Sequence, residues 1–144
     1  MSWAAVAVVT TVASAAYAGY TNYQSNKHME KQAEADAAAQ LARGRLEAER
    51  IRKEKEKAQS RARAAAAENG LDVNEGTSIV INDQIEQDAN YDANMAEITG
   101  YNSSQRLKAE ASLHAKNAQT AIVSGALNTA SSGMNSYGAT KGWK

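Results

Sequence analysis

The chain has 144 residues, 16 Lys+Arg against 16 Asp+Glu, and no formal net charge. It contains no Cys, no Pro and no Phe, so disulfides and thiolate metal sites are excluded. Its bulky apolar residues are too few and too scattered for an independent globular core to offset the entropy of ordering the chain. The composition therefore predicts an all-α protein whose long helices complete their core with other subunits.

The first element is an apolar helix over residues 1–26. Nothing from Ser2 to Asn26 carries a charged side chain, and Lys27 is the first. Ala16-Tyr17-Ala18 would serve as a signal cleavage site, but no basic residue precedes it, and Thr10, Thr11 and Ser14 interrupt the apolar run. The segment is therefore expected to stay uncleaved. Trp3 to Tyr23 supplies 21 residues, about 31 Å at 1.5 Å per residue, enough to cross a bilayer. Its strongly apolar residues are Val6, Val8, Val9 and Val12, each worth only about −0.3 to −0.6 kcal/mol on insertion. Small residues, Gly19 among them, let helices approach closely in lipid. Trp3 at one end and Tyr17, Tyr20 and Tyr23 at the other suit the two membrane–water interfaces. The expectation is a membrane segment stable mainly within an oligomer. An Ala-rich helix packed inside a soluble assembly is the other reading of the same composition.

Residues 27–69 read as a second, polar stretch of helix rich in Ala and charge, about 63 Å long and continuous with the first if no break occurs at Thr21–Asn26. A thin stripe runs through Ala37, Leu41, Gly44, Ala48 and Ile51, then through Lys55 to Ala58, Ala62 and Ala65, at the three-and-four spacing of a coiled-coil seam. Asn69-Gly70 is the expected C-cap. Residues 70–77 form the expected inter-helix turn, with Gly70 and Gly76 as its pivots and Thr77 or Ser78 as the next N-cap. A second long helix is expected over 78–129. Its stripe begins weakly at Ile81, Ile85, Ala89, Asp92, Met95/Ala96 and Thr99. It sharpens through Leu107, Ala111, His114, Ala118, Ala121/Ile122 and Gly125. Residues 130–144 are Gly- and Ser-rich and read as a flexible or extended tail.

Charge is blocked along the chain. Residues 27–68 hold 11 basic and 8 acidic side chains, residues 71–100 hold 7 acidic and no basic ones, and residues 101–144 hold 5 basic and 1 acidic. A hairpin would set the acidic block beside the basic run 43–63. Within that run Arg43, Arg45, Arg50, Arg52, Lys53, Arg61 and Arg63 are candidates for contact with nucleic-acid phosphates or anionic lipid. The Glu residues among them fit a solvated helix as well.

Catalytic chemistry finds no support. His28 and His114 stand outside any metal-binding spacing, no phosphate-binding glycine loop occurs, and Ser103-Ser104 and Ser131-Ser132 lack triad context. No catalytic, cofactor-binding or metal-binding residue is assigned, no cofactor is implied, and the chain is not expected to be an enzyme.

The order of these parts resembles the small internal virion, or ejection, proteins of short-tailed bacteriophages. The opening "MSWAAVAVVTTVASAAYAGY" looks like that family's start. The stretch "AAAENGLDVNEGTSIVINDQIEQDANYDANMAEITGYNSSQRLKAEA" is the more specific match, with its turn from Gly70 to Gly76-Thr77-Ser78 and its Tyr101-Asn102 pair. The closing "SGALNTASSGMNSYGATKGWK" is similar too, so the likeness extends over nearly the whole chain. It implies a protein packaged in the virion interior near the portal, which leaves before the DNA and oligomerises in the host outer membrane as part of a DNA-translocation channel. The implied partners are copies of itself, other virion ejection proteins, the portal, the outer membrane, and passing double-stranded DNA read without sequence specificity. The alternatives are a membrane-anchored helical stalk subunit and a soluble virion scaffold or tail-adaptor component.

Overall fold

The structure is a computed structural model. It describes the backbone of residues 3–73 and 75–141, and side chains over 13–73 and 75–135. Helix α1 runs from Trp3 to Glu68 and helix α2 from Thr77 to Lys141. The two pack against each other as an antiparallel helical hairpin, and no strand occurs among the described residues.

Helix α1 passes through Thr21–Asn26 without a break. Polar side chains there bond to their own helix instead of competing with it. Thr21 Oγ1 donates to the Ala18 carbonyl at 3.0 Å, and Asn26 Nδ2 donates to the Asn22 carbonyl at 2.8 Å. At the C-terminus, Gly70 N–H donates to the Ala67 carbonyl and Leu71 N–H to that of Ala66. Gly70 itself sits at φ +70°. This is a Schellman cap, in which a left-handed glycine turns the chain while satisfying carbonyls that the helix leaves open. Asn69 Nδ2 covers the Ala65 carbonyl at 2.8 Å.

The turn therefore occupies 69–76, one residue earlier than expected. Gly76, at φ +61°, immediately precedes α2. Thr77 and Ser78, expected as N-caps, lie inside the first turn of α2, and Ser78 is buried.

The far end of α2 differs more. Residues 130–141, expected as a flexible or extended tail, continue the helix. Gly and Ser cost helix propensity, roughly 0.5–1 kcal/mol per Gly. No Pro interrupts the run from Thr77 to Lys141, and Thr129 and Ser131 turn their hydroxyls onto the Gly125 and Asn128 carbonyls.

The hairpin divides into two compact units, one of residues 35–107 and one of residues 1–34 with 108–144. In the first unit the α1 seam is the one expected. Ala37, Gly44 and Ala48 are buried, and Leu41, Ile51, Lys55, Ala58 and Ala62 are partly so. Only the last step moves, from Ala65 to Ala66. The α2 seam needs correction. It runs through Ser78, Asn82, Ile85, Ala89, Ala93, Ala96, Gly100, Ser104 and Leu107, whereas Ile81, Asp92, Met95 and Thr99 are exposed. Its steps of four, three and four follow an eleven-residue repeat, which keeps a nearly straight helix on one partner face.

The reason is distance. A Cβ built on Gly44 would lie 2.9 Å from Gly100 Cα and 2.9 Å from the Ala96 carbonyl oxygen. One built on Gly100 would lie 2.8 Å from Gly44 Cα. Backbone meets backbone at this level, as in small-residue helix pairs, and neither position has room for a side chain there.

The second unit repeats the device. Gly19 faces Gly125, with a built Cβ 3.1 Å from the opposing Cα in either direction. Ala111 and Ala118 are buried, and His114, Ala121, Gly125 and Thr129 are partly so, which matches the expected spacing from Leu107 onward.

Among the described residues the buried apolar set is Ala33, Ala37, Ala48, Ala93, Ala111 and Ala118, and the largest wholly buried side chain is that of Ser104. The seam holds the helices at close approach with little bulky apolar burial, and the larger apolar side chains stand outward.

Candidate functional site

Those outward surfaces hold the bulk that the seam lacks. In the unit built from the chain's two ends, Tyr17, Tyr20, Leu113, Ile122, Val123, Leu127 and Met134 are exposed, Tyr17 at 70 % and Met134 at 76 %. Gly19 and Tyr23 are partly buried. An apolar groove runs between Ala16, Gly19 and Tyr20 on α1 and Ile122, Gly125 and Ala126 on α2. The sequence-predicted membrane residues therefore divide. Gly19 serves the seam, whereas Tyr17 and Tyr20 face outward. Trp3, Val6, Val8, Val9 and Val12 lie on helical backbone, with side chains outside the described residues. Among the described residues, no helix is long and apolar enough to cross a membrane.

Sequence reasoning missed the partner of the first segment. Between Lys116 and Lys141 the chain carries no charged side chain for 24 residues. This run packs through Gly125 onto Gly19 of the other uncharged run. Its signal was the absence of charge, masked by a low hydropathy that Asn, Gln, Ser and Thr produce. Several of those hydroxyls are already satisfied within α2. Thr120 donates to Lys116 O, Ser124 to Ala121 O, Thr129 to Gly125 O and Ser131 to Asn128 O, at 3.0, 3.3, 2.7 and 3.1 Å.

In the unit of residues 35–107, the face of α2 opposite the seam carries Val80, Tyr91, Met95 and Ile98, all exposed, with exposed Tyr101 on its flank. Acidic residues border it: Asp83, Asp88 and Asp92 are exposed. On α1 the outward face holds Ala38, Ala42 and Leu46, the last 65 % exposed, followed by Lys53 and Lys57. The two helices also meet through charge, as the blocked sequence predicts. Arg52 Nη2 lies 2.9 Å from Glu97 Oε1, and Lys55 Nζ lies 3.8 Å from Glu86 Oε1.

The predicted phosphate or lipid contacts are all exposed, but they form no single patch. Arg43, Arg50 and Arg61 follow one flank of α1. Arg45, Arg52 and Arg63, two residues further along, follow the opposite flank. Some are also engaged with carboxylates. Arg50 binds Glu47 at 2.6 Å, which raises its already high pKa, and lies 3.7 Å from Glu54. Lys53 lies 3.3 Å from Glu49. At the start of the charged region, Lys27 Nζ lies 2.8 Å from Glu30 Oε2, and the neighbouring carboxylate raises the lysine's pKa.

Polar groups also enter the seams. Asn82 donates through Nδ2 to Ser78 O at 2.9 Å, and Gln59 Nε2 donates to Asn82 O at 3.3 Å. His114 places Nε2 3.8 Å from Glu110. Among the described residues, no group of three or more His, Asp or Glu is placed to hold a metal ion.

The chain matches no protein-family model, no curated protein and no solved structure. Its functional reading therefore rests on residues and geometry.

Proposed function

We propose that this chain is an internal virion, or ejection, protein of a short-tailed bacteriophage. It is carried in the capsid, leaves ahead of the DNA, and oligomerises in the host outer membrane as part of a DNA-translocation channel. Copies of itself, other ejection proteins and the portal are its protein partners. Double-stranded DNA passes without being read in sequence.

One observation carries the reading. Among the described residues the hairpin fully buries only Gly, Ala, Ser and one Asn, while tyrosines and large aliphatic residues stand exposed on each unit. A chain built so needs other surfaces to complete it. Proteins cover those surfaces in a capsid, and lipid and sister subunits cover them in a membrane, since apolar surface is driven from water in both settings. Long helices joined mainly through small residues also suit a chain that must travel through a narrow passage and reassemble. The hairpin returns both uncharged ends to one unit, whereas a stalk needs its ends far apart.

The test follows the protein through infection. An epitope-tagged copy should be protected from protease in intact particles and appear in the outer-membrane fraction of infected cells. A copy that is digested in intact particles and stays with the spent virion would overturn the reading in favour of a tail-adaptor role.

A further inference from the structure

The uncharged runs 2–26 and 117–140 span 25 and 24 residues, about 37 and 36 Å as helices, against a hydrocarbon core of about 30 Å. They lie side by side, with backbone on backbone at Gly19 and Gly125. Each helix satisfies its own backbone groups, which is the first requirement for leaving water. The hydroxyls of Thr120, Ser124, Thr129 and Ser131 are satisfied by helix carbonyls as well.

What remains polar is largely sorted by face. Beyond the seam through Ala118, Ala121 and Gly125, α2 has two exposed sides. One carries Val123, Ala126, Leu127, Ala130 and Met134, and its one carboxamide, Gln119, lies within a turn of Lys116, where the uncharged run ends. The other carries Asn117, Ser124, Asn128, Ser131 and Asn135, at steps of seven, four, three and four. All eleven are exposed. A single uniform solvent would not call for this division. Water on both sides would leave the apolar face uncovered, and lipid on both sides would strand the asparagine carboxamides, a costly burial without partners.

We propose that the two uncharged ends enter the bilayer as one paired element, with the Val123–Leu127–Met134 face of α2 on lipid and its Asn117–Asn128–Asn135 face on water in the channel lumen. This rests on the membrane reading above and assigns the lining that reading leaves open. The helix is too polar to cross alone; pairing and assembly supply the wet side. An uncharged amide lining also suits the passage of DNA, because it offers no cation to hold the phosphates.

The chain has no cysteine, so single substitutions give unique labels. Leu127→Cys and Asn128→Cys are each made in the full chain and added to phosphatidylcholine/phosphatidylglycerol vesicles. Both positions are exposed, and circular dichroism checks that each variant keeps its helicity. A fluorophore on Leu127→Cys should be quenched by nitroxide-bearing lipid and one on Asn128→Cys should not. A cationic methanethiosulfonate should react at position 128 and reduce leakage, with little reaction at position 127. Asn128→Asp should shift the leak toward cation selectivity. If the parent chain leaks vesicles while both positions react with the aqueous reagent and neither is quenched by lipid, the paired-element assignment falls and the channel reading stands. If the parent chain neither leaks nor binds vesicles, both fall together.

Discussion

Gly44 and Gly100 face each other across the hairpin so closely that a Cβ on either would come within 2.9 Å of the other's Cα. The obstacle is backbone, which cannot swing aside. Gly44→Ala and Gly100→Ala should each destabilise the hairpin, because the overpacking cost of about 1–3 kcal/mol exceeds the roughly 1 kcal/mol of helix propensity gained. Gly133, also helical, has nothing within 4 Å of its built Cβ. Gly133→Ala should therefore stabilise by up to about 1 kcal/mol. Urea unfolding at one protein concentration reads all three, and a stabilised Gly100→Ala would show that the helices do not meet there.

The turn makes a separate prediction. Gly70 and Gly76 have open space around them but φ of +70° and +61°. Alanine at either position meets no neighbour and still pays for left-handed backbone, about 1–2 kcal/mol. Gly70→Asn, which tolerates that conformation better, should recover part of the loss. Equal stability of the alanine and asparagine variants would contradict the Schellman geometry.

Charge reversal tests the register. Arg52 and Glu97 pair across the helices, half-exposed. Their coupling should be about 0.2–1 kcal/mol in a double-mutant cycle and should shrink with added salt. Arg52→Glu should destabilise, and Arg52→Glu with Glu97→Arg should recover. Spin labels at Ala58 and Ala89, both partly buried on facing helices of one unit, should lie close together. A separation comparable with the helix lengths would mean an extended rod.

Assembly is tested on the outward face of α2. Replacing Tyr91, Met95 and Ile98 together with Ser should lower the oligomer mass seen by sedimentation in detergent, with helicity retained. The exposed side chains make few contacts within the hairpin, so lost helicity with unchanged assembly would assign them to the fold instead.

The extent to which this architecture could be read from sequence follows from side-chain size. The α1 seam was legible because Ala37, Leu41, Gly44, Ala48 and Ile51 stand out among charged neighbours. The turn was legible because Asn69-Gly70 and Gly76 punctuate the only gap between helix-forming runs. On α2 the expectation continued the three-and-four spacing from Ile81 and chose Ile81, Asp92 and Thr99, each one residue short of the true seam at Asn82, Ala93 and Gly100. Where the backbones approach closely, as at Ala93 and Gly100, the seam takes the small residue and the bulkier neighbour is turned outward. The tail was misjudged because its Gly and Ser content was read as a helix stop, although no Pro interrupts the run from Thr77 to Lys141. The uncharged run 117–140 escaped notice for a related reason, since its amides lower hydropathy while leaving it free of charge.

The central claim, that this hairpin assembles in a membrane through its uncharged ends, is tested most directly by leakage of dye-loaded liposomes. The purified parent chain should release dye and show ring-shaped oligomers by electron microscopy of the same vesicles. Val8→Asp with Val9→Asp should abolish release, because a carboxylate within the bilayer is costly, about 2.5–3.5 kcal/mol or more at the helix centre. A double variant that releases dye as the parent does, or a parent that leaves the vesicles sealed, would contradict the account.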